Sequence, residues 1–484
     1  MPYRHGVSVS EKNTGLNTPV KGTAGLQVIF GTAPCNLAED PSTAANVPKL
    51  CYTFAEAKKA VGYCEDFDNY SLCQAISATF KVFNVAPVVL VNVLDPTKTE
   101  HKTAVEKAQK TLTGGKVKLE AFGVILSTLS VSETSSGTDL TPGTDYKAEF
   151  DDEGYCVITT LGTQTSLYIG YSKLNPSGVT ASDIIGGTTG STEKGLDLIR
   201  QIYPRFGLTA GIISAPGWSH NATVCAAMQA KCEGINGVFA ADCVVDIPSN
   251  VAGAQIYSSV NTAKATVGAT SKHTTACWPK AKIGTQIYYL SALISALMSY
   301  VTASDDDIPY RSPSNQPIGI TGLCLDDSAN TEVILDQEQA NTVNSYGVVT
   351  CLNFNGFRCW GNNTAAYPAS VDPKDRWIAC RRMFTWWGNS LILNYHRKVD
   401  NPGNTRLIEN VVDDENIRGN GFVAKGYLAG ARVEYLSSEN TREDILAGKI
   451  TFNIHIAPFI PSEDIEFVLE FDADALVSSL GGEN

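Results

Sequence analysis

The sequence predicts an α/β protein, α+β overall: a split α/β core domain with an inserted all-β domain, then a C-terminal α+β domain, with an extended arm at each end. Three observations predict it. Continuous apolar runs of strand length (LQVIFGTAP, PVVLVNVL, VFAADCVVD) alternate with helix-length segments, as strands buried on both faces do. A Thr/Ser/Gly-rich stretch with short alternating runs interrupts them between about residues 99 and 185. Near the C-terminus, two segments alternate apolar and polar residues with a period of two, the mark of half-buried strands.

The elements follow in order. Residues 1–22 read as an arm in which Tyr3, Val7 and Val9 alternate with Arg4, Ser8 and Ser10. The core opens at 23–98 with a strand at 26–34, helices at 54–61 and 70–82, and a strand at 87–94. Residues 99–185 form the insertion, where VILSTLSVS and YCVITTL are strands and TPGTDY and DDEG are turns. The core resumes over 186–350 with a helix at 196–203, a strand at 209–214, a helix at 221–232, a strand at 238–246 and a long helix at 285–302. In the C-terminal domain, 351–460, Asp372-Pro373 fits a helix start. Trp377, Cys380, Phe384, Trp387 and Leu391 then form one helical stripe. Helices at 405–417 and 421–429, the latter ended by Gly430, lead to a strand at 449–457 carrying Ile450, Phe452, Ile454 and Ile456. The arm 461–484 holds the last strand, 464–472, with Ile465, Phe467, Leu469 and Phe471 on its apolar face.

Composition narrows the function. The 484 residues are 43% hydrophobic, enough for several cores at about 150 residues per domain. Only 18% are charged, against about 25% in ordinary soluble proteins, and the net charge is −13. An acidic chain is a poor coat for phosphates, so no direct nucleic-acid contact is expected. The low charged fraction points instead to surface hidden in partners. Thirteen cysteines are an odd count and argue against a disulfide framework. Cys225, Cys232 and Cys243 with His220 fit no zinc spacing. MPYRHGVSVSEKNTG shows no secretory signal. The uncharged stretch 283–304 could span a bilayer by length, but its Gln286, tyrosines and serines make it a core helix, and no membrane anchor is expected.

Candidate chemistry is sparse, and no cofactor, metal or catalytic residue is expected. In GWSHN, 217–221, a nucleophile elbow would need glycine where Asn221 stands; helix capping by Ser219 or Asn221 is the plainer reading. GGTTGSTEK, 186–194, lacks the Gly-Lys-Ser/Thr of a phosphate loop. The acidic runs 305–307 and 413–415 lack alternating calcium ligands and read as solvated turns. Two charge features remain. Residues 461–484 carry seven acidic side chains and no Lys or Arg, whereas residues 1–22 carry Arg4, Lys12 and Lys21 against Glu11. A terminal strand with an apolar face must find a sheet edge, at home or in a neighbour, and the residues alone favour home. The window 374–406 holds Lys374, Arg376, Arg381, Arg382, Arg397, Lys398 and Arg406 against Asp375 and Asp400. It is either a solvated helix face or a docking surface for an acidic partner.

An ordered set of motifs then resembles one family. Asp375-Arg376-Trp377-Ile378 leading to Arg381-Arg382, then Asn420-Gly421-Phe422, Gly430-Ala431, Gly448-Lys449-Ile450 and Ile456-Ala457-Pro458, is similar to the closing pattern of contractile tail sheath proteins of bacteriophages and phage-tail-like particles. FGTAP, GGTTGSTEKGLDLI, IISAPGWS and VVDIPS extend the likeness through the α/β part. The resemblance implies a non-catalytic subunit that forms stacked hexameric rings around a tail tube and contracts to drive the tube through a target cell envelope. It implies partners in other copies of itself, the tube protein, and baseplate and tail-terminator proteins, in a virion tail or phage-tail-like particle assembled in the bacterial host cytoplasm. It also reverses the reading of the terminal strands. Tyr3, Val7 and Val9, with Ile465, Phe467, Leu469 and Phe471, would be arm strands given to neighbours. Ile450, Phe452, Ile454 and Ile456 would mark the receiving sheet, and Lys374, Arg381, Arg382, Arg397 and Lys398 would face the tube. The family's α/β part is likened to subtilisin, so a hydrolase is one rival reading and a capsid or other virion structural protein the other.

Overall fold

The computed structural model describes residues 20–481. Its centre is a sheet of eight strands: β1 (Gln27–Gly31), β2 (Lys49–Cys51), β3 (Val88–Asn92), β4 (Ile212–Ser214), β5 (Asp242–Asp246), β6 (Thr274–Cys277), β7 (Val348–Asn353) and β8 (Phe357–Trp360). In space they run β8-β7-β6-β5-β4-β1-β3-β2. The six inner strands are parallel; β2 and β8 add an antiparallel edge at either side. Every residue of β1, β3, β4, β5 and β6 is buried, as in strands covered on both faces, and the apolar runs read in the sequence hold β1, β3 and β5. The strand order reverses between β1 and β4, where doubly wound sheets open a crevice.

The helix α1 (Leu290–Ser304) crosses the sheet beside β1, β4, β5 and β6, with twelve of its fifteen residues buried. A helix enclosed on all sides needs no charged face. No helix among the described residues is long and apolar enough to cross a membrane. The expected helix start at 285 is corrected: Gln286–Tyr288 is a strand that pairs with Lys280–Ile283 across a turn in which Gly284 takes a φ of +61°. Likewise, the expected helix at 196–203 is a 3-10 segment, Gly195–Gln201, followed by one α-helical turn and a half, Ile202–Phe206. The 13 cysteines are free thiols, twelve of them buried.

Between β3 and β4 the chain leaves the sheet and builds two three-stranded antiparallel sheets. One pairs Lys116–Phe122, Tyr155–Thr160 and Tyr146–Phe150; the other pairs Lys102–Thr111, Ser166–Leu174 and Val124–Ser132. They share a core of their own that includes Leu119, Val131, Tyr146, Ile158 and Leu167. Where this unit joins the central sheet, Lys98 bonds Asp183, and His101 Nε2 lies 3.5 Å from the same carboxylate.

The run Asp305–Asp307 is a turn, as read, with Asp306 exposed, and its carboxylates also tie elements together; the run 413–415 is corrected from a solvated turn, since it lies within a helix and Glu415 is buried. Asp307 accepts the amides of Thr23 and Ala24 at 2.8 and 2.9 Å, Asp305 pairs with Arg311 at 2.6 Å, and Asp306 accepts the Tyr427 hydroxyl at 2.7 Å. The N-terminal strand positions Tyr3, Val7 and Val9 lie outside the described residues.

Candidate functional site: the C-terminal hairpin and its trailing arm

Asp372 caps a single turn, Pro373–Arg376, by accepting the Lys374 amide at 3.1 Å. Trp377 is extended, and the helix α2 (Ile378–Tyr395) follows. One face of α2 meets the start of β5 and the end of α1 through polar contacts. Asn389 makes a paired amide contact with Ala240, accepting its N–H at 2.9 Å and donating to its carbonyl at 2.7 Å. Arg382 donates to Thr302 Oγ1 at 2.8 Å. The other face carries Met383 and Trp387 into a small core with Leu428 and Phe422. Arg418 lies 4.4 Å above the Trp387 ring and pairs with buried Glu415 at 3.0 Å.

The helix α3 (Thr405–Ala424) starts at Asn404, which accepts the Leu407 amide at 2.9 Å. Two expected helices are thus one, and the expected helix over 421–429 is corrected. Its first four residues end α3, a turn follows, and its last two begin β9 (Leu428–Glu434); the glycine that marks the break is Gly426, at a φ of +76°, rather than Gly430. Packing on α3 decides this. A Cβ on Gly419 would meet Ala431 Cβ at 2.6 Å, so the strand lies directly on the helix. Asn416 donates to the Val433 carbonyl at 2.9 Å and accepts its N–H at 3.0 Å, closing the outer edge of β9 there.

The strand β10 (Asn453–Pro458) pairs antiparallel with β9, Val433 opposite Ile454 and Ala431 opposite Ile456. It starts later than the sequence alternation implied. Ile454 and Ile456 pack on the small core, while Ile450 and Phe452 precede the strand, half-buried, with Phe452 6.1 Å from the Tyr435 ring. Among the described residues the hairpin has two strands only, and the outer edge of β10 has no partner.

Within the subunit the segment 464–472 forms no ladder, and the chain runs on to a short helix, Ala473–Ser479. Ile465, Phe467, Leu469 and Phe471 are 69, 85, 94 and 76% exposed. Alternation specifies a strand, but a strand exists only with a partner. Both halves of a pairing, an open edge and an apolar-faced segment, therefore sit unused in one subunit.

The basic window is divided by burial. Arg382 is 4% exposed; burial pulls its guanidinium down to about 10, against the opposing pull of Asp242 and Asp307. Arg381 is largely covered and pairs with Asp375 at 3.1 Å. A guanidinium turned inward presents no charge to an outside partner, so the tube-facing expectation is corrected for these two. Lys374, Arg397 and Lys398 stay accessible, with Lys374 bonded to Asp372 and Lys398 3.5 Å from Asp414.

At the C-terminal end of β5, Ser219 and Ser291 both donate to buried Asp246, at 2.9 and 2.5 Å, and the Ser291 amide adds a third bond at 2.9 Å. The His220 ring does not face Ser219; it stacks on Tyr289 at 5.7 Å with 1° between planes. Burial pushes its imidazole pKa down. A serine whose proton is already given to a carboxylate, with no imidazole to take it, is not an activated nucleophile. The helix cap read in GWSHN is Asn221, which accepts the Thr223 amide at 3.0 Å. Sequence alone missed the Asp246 node, because its three parts lie 27 and 45 residues apart and only the sheet brings them together.

The site thus presents, among the described residues, an unpaired sheet edge and an exposed apolar segment. No family model matches the chain. The tail sheath protein of Burkholderia phage BcepMu is 25% identical over 99% of both chains. In solved structures, the sheath complex of an extracellular contractile injection system (PVC) in its contracted state gives a TM-score of 0.58 at 14% identity, covering 98% of this chain and 99% of that one. A chain of the anti-feeding prophage baseplate gives 0.57 at 14% identity, covering 98 and 100%. Phage tail sheath proteins are homologues of this chain, the BcepMu protein along its full length, and they are structural proteins, not enzymes.

Proposed function

We propose that this chain polymerises as stacked hexameric rings around a tail tube and contracts to drive the tube through a target cell envelope. One observation carries the reading: the 464–472 segment and the open β10 edge lie in the same subunit, each needing what the other supplies. Strand addition between copies answers both needs, with main-chain bonds for affinity and Ile465, Phe467, Leu469 and Phe471 for register. The receiving edge is β10, held in place by Ile454 and Ile456. Tyr3, Val7 and Val9 enter the same exchange from the other terminus. The acidic arm tolerates a less acidic sheet better than a second acidic strand.

In this reading the central sheet (23–98 and 186–350) and the insertion (99–185) form the body. The C-terminal domain (351–460) is the assembly unit, flanked by the arms 1–22 and 461–484. Lys374, Arg397 and Lys398 are the tube contacts; exposed pairs of this kind are weak and screenable, as contraction requires. Baseplate and terminator proteins cap the stack, and the particle is a virion tail or phage-tail-like device assembled in the host cytoplasm. Deleting residues 464–484 tests it. The truncated protein should stay a soluble monomer, and intact sheaths in electron micrographs would refute the exchange.

A further inference from the structure

Open arms carry a hazard. Only five residues, 459–463, separate the end of β10 from the start of the arm strand. Loops of that length close ordinary hairpins. The arm could therefore fold back onto its own β10 edge, and a tether this short raises the local concentration to the millimolar range, beyond what free neighbours supply. A subunit closed in this way would cap its own edge. Yet the structure holds the arm open.

The contacts that hold it are specific. Phe459 accepts a hydrogen bond from Cys380 Sγ through its carbonyl, at 3.8 Å. Glu463 then meets Arg376 Nη2 at 3.2 Å. Arg376 is itself fixed in place. Its guanidinium lies 4.4 Å from the Tyr367 ring and 4.0 Å from the Trp377 ring, and its Nε donates to Asn363 Oδ1 at 2.8 Å. A fork packed against two aromatic rings and bonded at Nε has little freedom left to lose, so its last donors are aimed before Glu463 arrives. From Phe459 to Ile465 the chain lines a polar cleft of about 770 Å³ with Asn315, Asn341 and Trp360, running past the start of α2 instead of turning back along β10. Beyond Glu463 no residue up to Phe471 makes a side-chain hydrogen bond or ion pair within the subunit, among the described residues. The clamp is thus the arm's last anchor.

We infer that the Arg376–Glu463 clamp is a positioning device that prevents self-pairing, keeping the 464–472 segment directed away from its own β10 edge and free for a neighbour. This rests on the exchange proposed above, and concerns which of two partners the arm takes. The balance is that of domain swapping, in which the hinge between the exchanged segment and its body decides between closed monomer and open assembly.

The test uses the full-length protein, dilute and unassembled, with Arg376→Ala and, as a milder change that leaves the stacked arginine in place, Glu463→Gln. Hydrogen exchange is read at the amides of 465–471 and of β10, and assembly by electron microscopy. In the wild type these arm amides should exchange freely. In both variants they should slow by about tenfold, a shift worth about 1.4 kcal/mol. The β10 amides should gain protection with them, and sheath yield should fall. Unchanged arm exchange overturns the inference whether or not assembly fails, because Arg376 would then act only as local packing. Failure of the exchange itself is separate: it shows as normal sheaths from the 464–484 deletion, which lacks the arm and leaves both clamp residues.

Discussion

Leu469→Asp separates the fold from the assembly more sharply than any other single change. Leu469 is 94% exposed in the subunit, so its replacement removes no contact that holds the monomer together. Surface changes of this kind move stability by about 0.5 kcal/mol or less. In the proposed exchange the same side chain lies buried against a neighbour. Burying a leucine contributes about 1.5–3 kcal/mol, and placing a carboxylate in that seam costs at least about 2 kcal/mol more. A loss of about 4 kcal/mol weakens each contact by about a thousandfold, and the loss recurs at every subunit. Val468→Asp is the matched control: Val468 is 83% exposed but lies on the opposite face of the alternation. Calorimetry and sedimentation velocity read the two consequences. For Leu469→Asp the melting temperature should stay within about 2 °C of wild type, while assembly is lost. Val468→Asp should assemble. Sheaths of normal length from Leu469→Asp, or equal damage from both variants, would refute the reasoning.

Two further predictions concern the body. Asp246→Ala leaves the Ser219 and Ser291 hydroxyls and the Ser291 amide without their acceptor in a buried site; at about 1–3 kcal/mol per orphaned group, less some relaxation, we expect a loss of about 3–5 kcal/mol in denaturant melts, and a loss below about 1 kcal/mol would show that the node is not structural. Asp183, at the junction of the insertion, is pushed up by burial, but hydrogen bonds from Lys98 and Thr180 outweigh this and hold its carboxyl at about 2, down from 3.8. A carboxyl depressed by folding contributes stability above its unfolded value and loses it as pH falls toward the folded one, so the junction should loosen between about pH 4 and pH 2. Hydrogen exchange at residues 98–101 should show this acid step in the wild type and not in Asp183→Asn, and identical acid profiles would count against it.

The parts of the fold legible in the sequence are those set by local pattern. The helix read at 54–61 is observed at Phe54–Val61, and the run at 87–94 contains β3. Both are short elements whose burial pattern is written in consecutive residues. Where the reading failed, a distant contact decided. Residues 428–434 have no strong period of their own and become β9 because Gly419 and Asn416 of α3 receive them. The positive charge of Arg382 read as surface, but α2 turns that residue toward Thr302, and no spacing rule states which face of a helix meets another domain. The Arg376 clamp was present only as one member of a basic run; its partner Glu463 lies 87 residues away.

The sequence by itself determined three things: an α/β body from unbroken apolar runs, the absence of a plausible nucleophile elbow or phosphate loop, and alternation at 464–472 that demands a partner strand. Side-chain periodicity is local, so one chain segment suffices to show it. Only the tertiary structure decided that, among the described residues, this segment and the β10 edge have no strand partner, and that an arginine packed on two aromatic rings meets the arm at Glu463. Those are statements about what lies next to what across tens of residues. They depend on how the packed body closes, which no local pattern encodes.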